Sequence, residues 1–213
     1  MKKKNRRTIC IAIGFLAAFI LWTAAVTQID VRPIGPNGST VGFAALNSLV
    51  HDLTGVHMSL YAITDWLGLV PLGFVLGFGI LGLAQWIGRK NLLEVDRSIL
   101  ILGGFYIVVL AAYVLFELYP VNYRPVLIEG VLEASYPSST TMLVLTVMPT
   151  VIMQLRRRLR NPVCRRIVVS AIIVFLIAMV AGRLASGVHW FTDVVGGAVL
   201  SAGLVMLYGF FFG

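Results

Sequence analysis

Six stretches of predominantly apolar residues recur along this chain, and they limit its fold more than any other feature of the sequence. They cover residues 9–26, 67–87, 98–116, 138–155, 167–181 and 194–212. A transmembrane helix needs about 20 consecutive apolar residues, and a chain of 213 residues that is 59% hydrophobic and 12% charged cannot bury so much apolar surface in a soluble domain. We therefore predict an all-α, polytopic membrane bundle of six transmembrane helices, forming a single domain over residues 1–213.

The net charge of +8 is concentrated in clusters, and this distribution argues against a surface for nucleic acid. Fourteen of the 17 basic residues form three clusters: Lys2, Lys3, Lys4, Arg6 and Arg7; Arg89, Lys90 and Arg97; and Arg156, Arg157, Arg158, Arg160, Arg165 and Arg166. With a cytoplasmic N-terminus all three clusters lie inside, beside only Glu94 and Asp96, and the outer side is mainly acidic. We therefore predict a multi-pass protein of the cell membrane with its N-terminus in the cytoplasm.

The longest outer connection, residues 28–66, begins with turn-forming residues and continues with apolar residues at roughly helical spacing. This pattern predicts an interfacial helical loop or lid. No small-residue cleavage site follows the first apolar stretch, so we interpret that stretch as a retained span. Cys10 and Cys164 lie beside basic clusters, on the side where thiols stay reduced, and no disulfide is expected.

Three polar stretches within residues 117–193 lie on the predicted outer side. They read NYRP at 122–125, SYPSSTT at 135–141 and GRLASGVHWFTD at 182–193. The second places hydroxyl groups and backbone amides at a helix N-terminus, which favours an anion site. In the third, His189 and Asp193 would share a face if that stretch is helical, so that the carboxylate orients the imidazole for attack. Arg124 and Arg183 have the planar forks that clamp a phosphoryl group.

These stretches together resemble the three motifs of the type 2 phosphatidic acid phosphatase superfamily, the membrane lipid phosphatases related to vanadium haloperoxidases. The family pattern is KxxxxxxRP, then PSGH, then SRxxxxxHxxxD. Arg124 and Pro125 match the first motif, and Pro137 and Ser138 begin the second. Arg183, His189 and Asp193 match the third. The combined motifs are far more specific than any one alone.

The resemblance implies a six-helix core with its site on the extracytoplasmic side and a lipid phosphatase that needs no metal or other cofactor. It implies that His189 is the nucleophile, that a phosphohistidine forms, and that Asp193 orients the imidazole. It assigns phosphate binding to Arg124, Arg183, Ser138, Ser139 and Thr140, with the backbone near Ser138 and Ser139 contributing.

The sequence departs from the family motifs at four positions: Glu117 replaces lysine, Ser139 replaces glycine, Thr140 replaces histidine and Gly182 replaces serine. In the family the PSGH histidine protonates the leaving alkoxide, and a threonine hydroxyl is far too weak an acid for this role. A lipid diphosphate of polyprenyl type needs little such help, because its leaving group is a phosphate with a second pKa of about 6. We therefore expect a lipid diphosphate to be preferred over a monophosphate.

Several alternatives stay open from the sequence. Another outer group could supply the proton, namely Glu117, Glu133, His51 or His57. Glu117 is more simply explained as the partner of an arginine, and the two histidines as surface residues of the outer loop. The phosphohistidine could pass its phosphoryl group to an acceptor other than water, which would make the protein a lipid phosphotransferase. The site could also bind a phospholipid without turnover, for scaffolding or transport. Phosphatidate, phosphatidylglycerol phosphate and polyprenyl diphosphate all fit the motifs, and the oligomeric state is open.

Overall fold

The computed structural model describes residues 2–212, which form eight α-helices. They are α1 (Lys2–Gln28), α2 (Ala44–Thr54), α3 (Met58–Leu67), α4 (Leu69–Arg89), α5 (Arg97–Leu118), α6 (Ser139–Arg158), α7 (Pro162–Ala185) and α8 (Phe191–Phe212). Extended pairing within residues 2–212 is limited to isolated bridges, so the prediction of an all-α fold is confirmed. The ends of the predicted domain, Met1 and Gly213, lie outside the described residues, as do the side chains of residues 2–5, which include three lysines of the first basic cluster.

Five helical stretches are long and apolar enough to cross a membrane. They are Arg6–Gln28, Met58–Arg89, Arg97–Leu118, Pro162–Ala185 and Phe191–Phe212. Large apolar side chains are exposed on the outside of these stretches, for example Leu21, Leu76 and Ile107. A surface of this kind is compatible with lipid and not with water. The chain is therefore a multi-pass membrane protein.

Helix α6, the predicted fourth span, is more polar than the other long helices. Its polar side chains point into the bundle, where Thr150 and Gln154 are fully buried. The Thr150 hydroxyl lies 3.0 Å from the hydroxyl of Tyr106, and the Gln154 amide donates to the Tyr208 hydroxyl at 2.9 Å. Because α6 packs against α4, α5, α7 and α8, its environment is largely protein. Its 20 residues are nevertheless long enough to extend about 30 Å.

The basic end of the bundle is where the C-terminal end of α6 lies. Arg157 at the end of α6 donates to the backbone oxygen of Phe212 at 2.7 Å, and Arg158 lies 3.4 Å from the Ser98 hydroxyl. These contacts gather the C-terminal ends of α6 and α8 and the N-terminal end of α5 at the basic end. The opposite end therefore holds the start of α6 and the end of α5, where the predicted site residues lie.

Helices α1 and α8 pack closely along their length and support the end of the bundle that holds the predicted site residues. Gly203 of α8 allows this approach, because a Cβ atom there would lie 2.9 Å from Leu16 Cδ2. Farther along, the Trp22 indole donates to the backbone oxygen of Thr192 at 3.2 Å. α1 thus packs against the helix that carries Asp193 and fixes its position.

The predicted outer loop, residues 28–66, contains two helices that dock on the bundle. Asn47 of α2 donates to Thr192 Oγ1 at 3.0 Å. α3 runs into α4 with only Gly68 between them, so that Met58–Arg89 forms a helical stretch of 32 residues, longer than the roughly 20 that a bilayer requires. The second apolar stretch, predicted from residue 67, is therefore preceded by two further helical turns.

Candidate functional site

Four of the predicted site residues come from two connections and two helices and meet at the end of the bundle opposite the basic end. Arg124 lies between α5 and α6, and Arg183 lies in the last turn of α7. His189 follows in the connection to α8, and Asp193 lies in the first turn of α8. All four are buried, with relative exposures of 7%, 1%, 3% and 0%. Buried charged and titratable side chains in such a cluster are typical of a functional site.

His189 and Asp193 are neighbours, although His189 is not helical. α7 ends at Ala185 and α8 begins at Phe191, so the predicted common helix face is replaced by a turn. His189 Nδ1 lies 3.9 Å from Asp193 Oδ2, which is longer than a hydrogen bond. The nitrogen nearer the carboxylate is Nδ1, which leaves Nε2 as the nitrogen directed elsewhere.

Asp193 is fixed by hydrogen bonds to both of its carboxylate oxygens. Asn122 donates to Oδ1 at 3.0 Å, and the backbone N–H of Trp190 donates to Oδ2 at 3.0 Å. The second bond runs from the residue before α8 to its first turn, as in a capping box. The capping geometry therefore sets the position of the carboxylate beside the imidazole.

His189 is held in its neutral form. Burial is the main cause that keeps the pKa of His189 well below its usual value of 6.5, and the positive charges of Arg124 and Arg183 lower it further. Both ring nitrogens are buried and make no well-aligned hydrogen bond, although the Ser135 backbone interacts with the ring. A neutral imidazole keeps a lone pair, which a nucleophile requires.

Arg124 is positioned by the segment that leads to α6. Its backbone N–H donates to the carbonyl of Glu133 at 3.0 Å, and its Nε lies 3.0 Å from Glu133 Oε2. That ion pair is too poorly aligned to be a hydrogen bond, and both Nε and Nη1 stay without a hydrogen-bond partner. Buried donors of this kind are suited to an anion.

Arg183 is held by α3. Its Nη1 donates to Thr64 Oγ1 at 3.2 Å and to the backbone oxygen of Tyr61 at 3.4 Å, and its Nη2 lies 3.4 Å from Asp65 Oδ1. Nε has no partner. Asp65 is itself well exposed, so this ion pair lies at the rim of the site.

The start of α6 supplies hydroxyl and amide groups. The backbone N–H of Ser138 donates to the Asp193 carbonyl at 3.0 Å, so that amide is already committed. The Ser138 hydroxyl is buried and has no partner, and Thr140 is also buried. Among the predicted phosphate-binding residues, Ser139 and Thr140 therefore offer first-turn amides, whereas Ser138 offers its hydroxyl.

The residues proposed as substitute acids differ in their placement. Glu133 contacts Arg124, whereas the Glu117 carboxylate forms no hydrogen bond or ion pair with the described residues and lies near Ser135 and Ser139. His57 bonds the Thr54 carbonyl through Nε2 at 2.9 Å. The ring of His51 packs 5.5 Å from that of Trp190. Of these four residues, only Glu133 touches one of the two arginines.

An open apolar groove of about 600 Å³ leads away from Ser139 and Thr140 between α4, α5 and α6. A second cavity of about 410 Å³ continues toward the basic end, and the two share Val75 and Tyr106 in their walls. Polar groups at one end of a long apolar groove are suited to an amphipathic ligand.

Metal binding is not suggested by the arrangement of the side chains. Residues 2–212 contain no group of three or more His, Cys, Asp or Glu side chains that could hold an ion. The expectation of chemistry without a metal stays a prediction.

Sequence reasoning missed four residues that contact the site: Tyr61, Thr64 and Asp65 on α3, and Asn122. Asn122 lies inside the NYRP stretch, two residues before Arg124, so its proximity was available as a signal. The α3 residues precede Arg183 by 118 to 122 positions. A single sequence contains no signal for a contact over that separation.

Comparisons with known proteins agree with the motifs. The family model described as the PAP2 superfamily matches residues 98–211, more than half of the chain. Among solved structures, the first transmembrane PAP2 type phosphatidylglycerolphosphate phosphatase from Bacillus subtilis is similar with a TM-score of 0.59 and 20% identity, over 93% of this chain and 94% of that one. At this identity the likeness concerns the fold. No curated protein matches the chain by sequence.

Proposed function

This chain belongs to the PAP2 superfamily, and we propose that it is a membrane lipid phosphatase with His189 as its nucleophile. The observation that carries the proposal is the meeting of a neutral, buried imidazole with two buried guanidinium groups, next to the start of α6, from which an apolar groove leads away. A phosphate group fits the guanidinium groups, and a hydrocarbon chain fits the groove.

The reaction proceeds in two steps. His189 Nε2 attacks the phosphorus, an N–P bond forms, and the P–O bond to the lipid breaks with its electron pair leaving on oxygen. Water then attacks the phosphorus of the phosphohistidine, the N–P bond breaks, and inorganic phosphate is released. Asp193 stabilises the positive charge that develops on the ring, while Arg124 and Arg183 stabilise the charge on the phosphoryl oxygens.

The preferred substrate is a lipid diphosphate. Thr140 occupies the position at which the family has its acidic histidine, and its hydroxyl cannot protonate an alkoxide near neutral pH. A phosphate leaving group needs no such proton. The Bacillus subtilis protein is a phosphatidylglycerolphosphate phosphatase, so that monophosphate is the natural comparison substrate.

In the bilayer, all six long helical stretches span, including α6, and the N-terminus and basic end face the cytoplasm. This orientation follows the positive-inside rule. It places the site and the helices of residues 28–66 at the extracytoplasmic face. α2 then lies in the interface, packed against the start of α8.

A substrate panel tests the proposal. Purified wild-type protein and the His189→Ala variant are given phosphatidylglycerol phosphate, phosphatidate and a polyprenyl monophosphate, together with the matching lipid diphosphates, and released phosphate is measured. We expect release from wild type only, with kcat/KM higher for each diphosphate than for its monophosphate by about 10²-fold, the usual contribution of a general acid.

Two results would contradict the proposal. Equal rates for both members of each pair would remove the diphosphate preference. Binding of the lipids without any release of phosphate would assign the chain to the non-catalytic alternative.

A further inference from the structure

The ring of Tyr61 contacts both arginines of the site. Cζ of Arg183 lies 4.7 Å from the centre of the Tyr61 ring, and Cζ of Arg124 lies 5.6 Å from the same centre. Both distances are within the range of a cation–π interaction, which is about 6 Å. One aromatic ring is therefore shared by two guanidinium groups that come from distant parts of the chain.

The position of this ring is fixed, because α3 is docked tightly on the end of α7. The backbone N–H of His57, just before α3, donates to the Ser186 carbonyl at 2.9 Å. A Cβ atom on Gly182 would lie 2.9 Å from Thr64 Cγ2. On Gly187, which has a φ of +65°, a Cβ atom would lie 1.8 Å from the Gly55 carbonyl oxygen. Contacts this close leave α3 no room to slide along α7.

Two like charges side by side repel each other, and each would turn toward solvent if nothing held it. An aromatic face offers a guanidinium group a favourable partner at a low conformational cost, since the ring has few rotamers. Of the two arginines, Thr64 and Asp65 contact only Arg183. Tyr61 is the side chain among the described residues of α3 that contacts both arginines.

We propose that Tyr61 is a positioning residue of the phosphate site, whose ring holds Arg124 and Arg183 side by side so that they engage one phosphoryl group together. The inference rests on the proposed function, because it takes phosphate as the ligand. In this role α3, which lies outside all three motifs, forms one side of the phosphate site. The phenolic hydroxyl has no part in this role.

The test uses the full chain in detergent and inorganic phosphate as the probe, with binding measured by calorimetry in the absence of any substrate. Tyr61→Phe keeps the ring, whereas Tyr61→Leu and Tyr61→Met remove it and retain an apolar side chain. Tyr119→Leu is the matched control, because Tyr119 is exposed and contacts no site residue. KM and kcat for the best lipid substrate are measured on the same preparations.

We expect Tyr61→Leu and Tyr61→Met to weaken phosphate binding about tenfold, the factor that corresponds to one or two lost cation–π interactions. KM should rise by a similar factor with kcat nearly unchanged, and Tyr61→Phe should match wild type within about twofold. Phosphate binding within twofold of wild type by either folded ring-less variant would overturn the inference. Equal losses in Tyr61→Phe and Tyr61→Leu would do the same.

The design separates this inference from the proposed function. Binding of inorganic phosphate requires no turnover, so a wild type that binds phosphate but hydrolyses no lipid would refute the phosphatase and leave the role of Tyr61 to be decided by the binding data. A wild type that hydrolyses lipid phosphates while Tyr61→Leu binds phosphate normally would refute the inference alone.

Discussion

His189 Nδ1 lies 3.9 Å from Asp193 Oδ2, and both oxygens of that carboxylate already accept hydrogen bonds from other groups. The carboxylate therefore cannot rotate freely, and the imidazole approaches a fixed charge. If Asp193 orients His189 and stabilises the charged ring, Asp193→Asn should lower kcat by at least about 10²-fold and slow formation of an acid-labile phosphoenzyme. His189→Ala should abolish that phosphoenzyme.

Labelling with a lipid substrate carrying radioactive phosphate measures the phosphoenzyme directly. His57→Ala is the control, because its ring bonds the Thr54 carbonyl outside the site and its loss should leave labelling unchanged. Normal labelling of the His189→Ala variant would remove the proposed nucleophile.

Thr140 provides a test by gain of function. Restoring the family residue with Thr140→His should raise kcat on lipid monophosphates by about tenfold or more, because an imidazole supplies the proton that the alkoxide needs. The rate on diphosphates should change little. The measurement is the ratio of kcat/KM for a matched diphosphate and monophosphate, with Thr141→His as the neighbouring control. A ratio that stays constant in Thr140→His would show that leaving-group protonation does not limit the reaction.

Glu117 and Glu133 should behave differently from each other. Glu133 lies against Arg124, so Glu133→Gln should alter KM through the phosphate-binding arginine, while Glu117→Gln should leave both constants within about threefold of wild type. Steady-state kinetics on the diphosphate checks both. A fall in kcat of about 10²-fold in either variant would identify that carboxyl group as the missing acid.

The all-α fold and the clustering of Arg124, Arg183, His189 and Asp193 could be predicted from the sequence because their signals are local. Apolar stretches mark the helices, and the spacing of Arg183, His189 and Asp193 identifies the family motif. Even there, the helical face expected for His189 and Asp193 is a turn followed by a helix start, since residues four apart can also meet across a capping box.

The contacts between α3 and Arg183 could not be predicted from the sequence, and the reason is physical. Tyr61, Thr64 and Asp65 meet Arg183 only because α3 docks on α7, and that docking depends on the close approach of the Thr64 side chain to Gly182 and of the Gly55 backbone to Gly187. The sequence of residues 58–67 does not by itself indicate that α3 packs on α7. In α6 the structure explains a weak signal in the sequence. Its polar side chains bond to other polar groups inside the bundle, so this central helix is less apolar than the other long helices.

The low pKa of His189 predicts how activity depends on pH. A histidine with an ordinary pKa would lose its lone pair below pH 6.5, whereas here burial and two nearby positive charges delay protonation to lower pH. The acid limb of kcat/KM, corrected for ionisation of the substrate, should therefore lie below pH 6.5. It should move to higher pH when Arg124→Gln removes one of those charges.

The unfolded chain protonates His189 near pH 6.5, so stability falls as pH decreases below that value. Rates are therefore compared only where circular dichroism is unchanged. An acid limb at or above pH 6.5 in wild type would contradict the buried, neutral imidazole.

Gly187 and Gly130 form a matched pair for testing the docking of α3. Both have positive φ, +65° and +81°, but a Cβ atom would lie 1.8 Å from the Gly55 carbonyl at Gly187 and would meet nothing within 4 Å at Gly130. Gly130→Ala should cost only the backbone strain, about 1 kcal/mol. Gly187→Ala adds a backbone clash that must separate α3 from the end of α7, and should cost at least about 2 kcal/mol.

Thermal unfolding in detergent should occur at a lower temperature in Gly187→Ala than in Gly130→Ala. Phosphate binding should also be weaker in Gly187→Ala, because the ring of Tyr61 moves with α3. Equal losses of stability and of phosphate binding in the two variants would show that the close contact at Gly187 does not fix α3 beside Arg124 and Arg183.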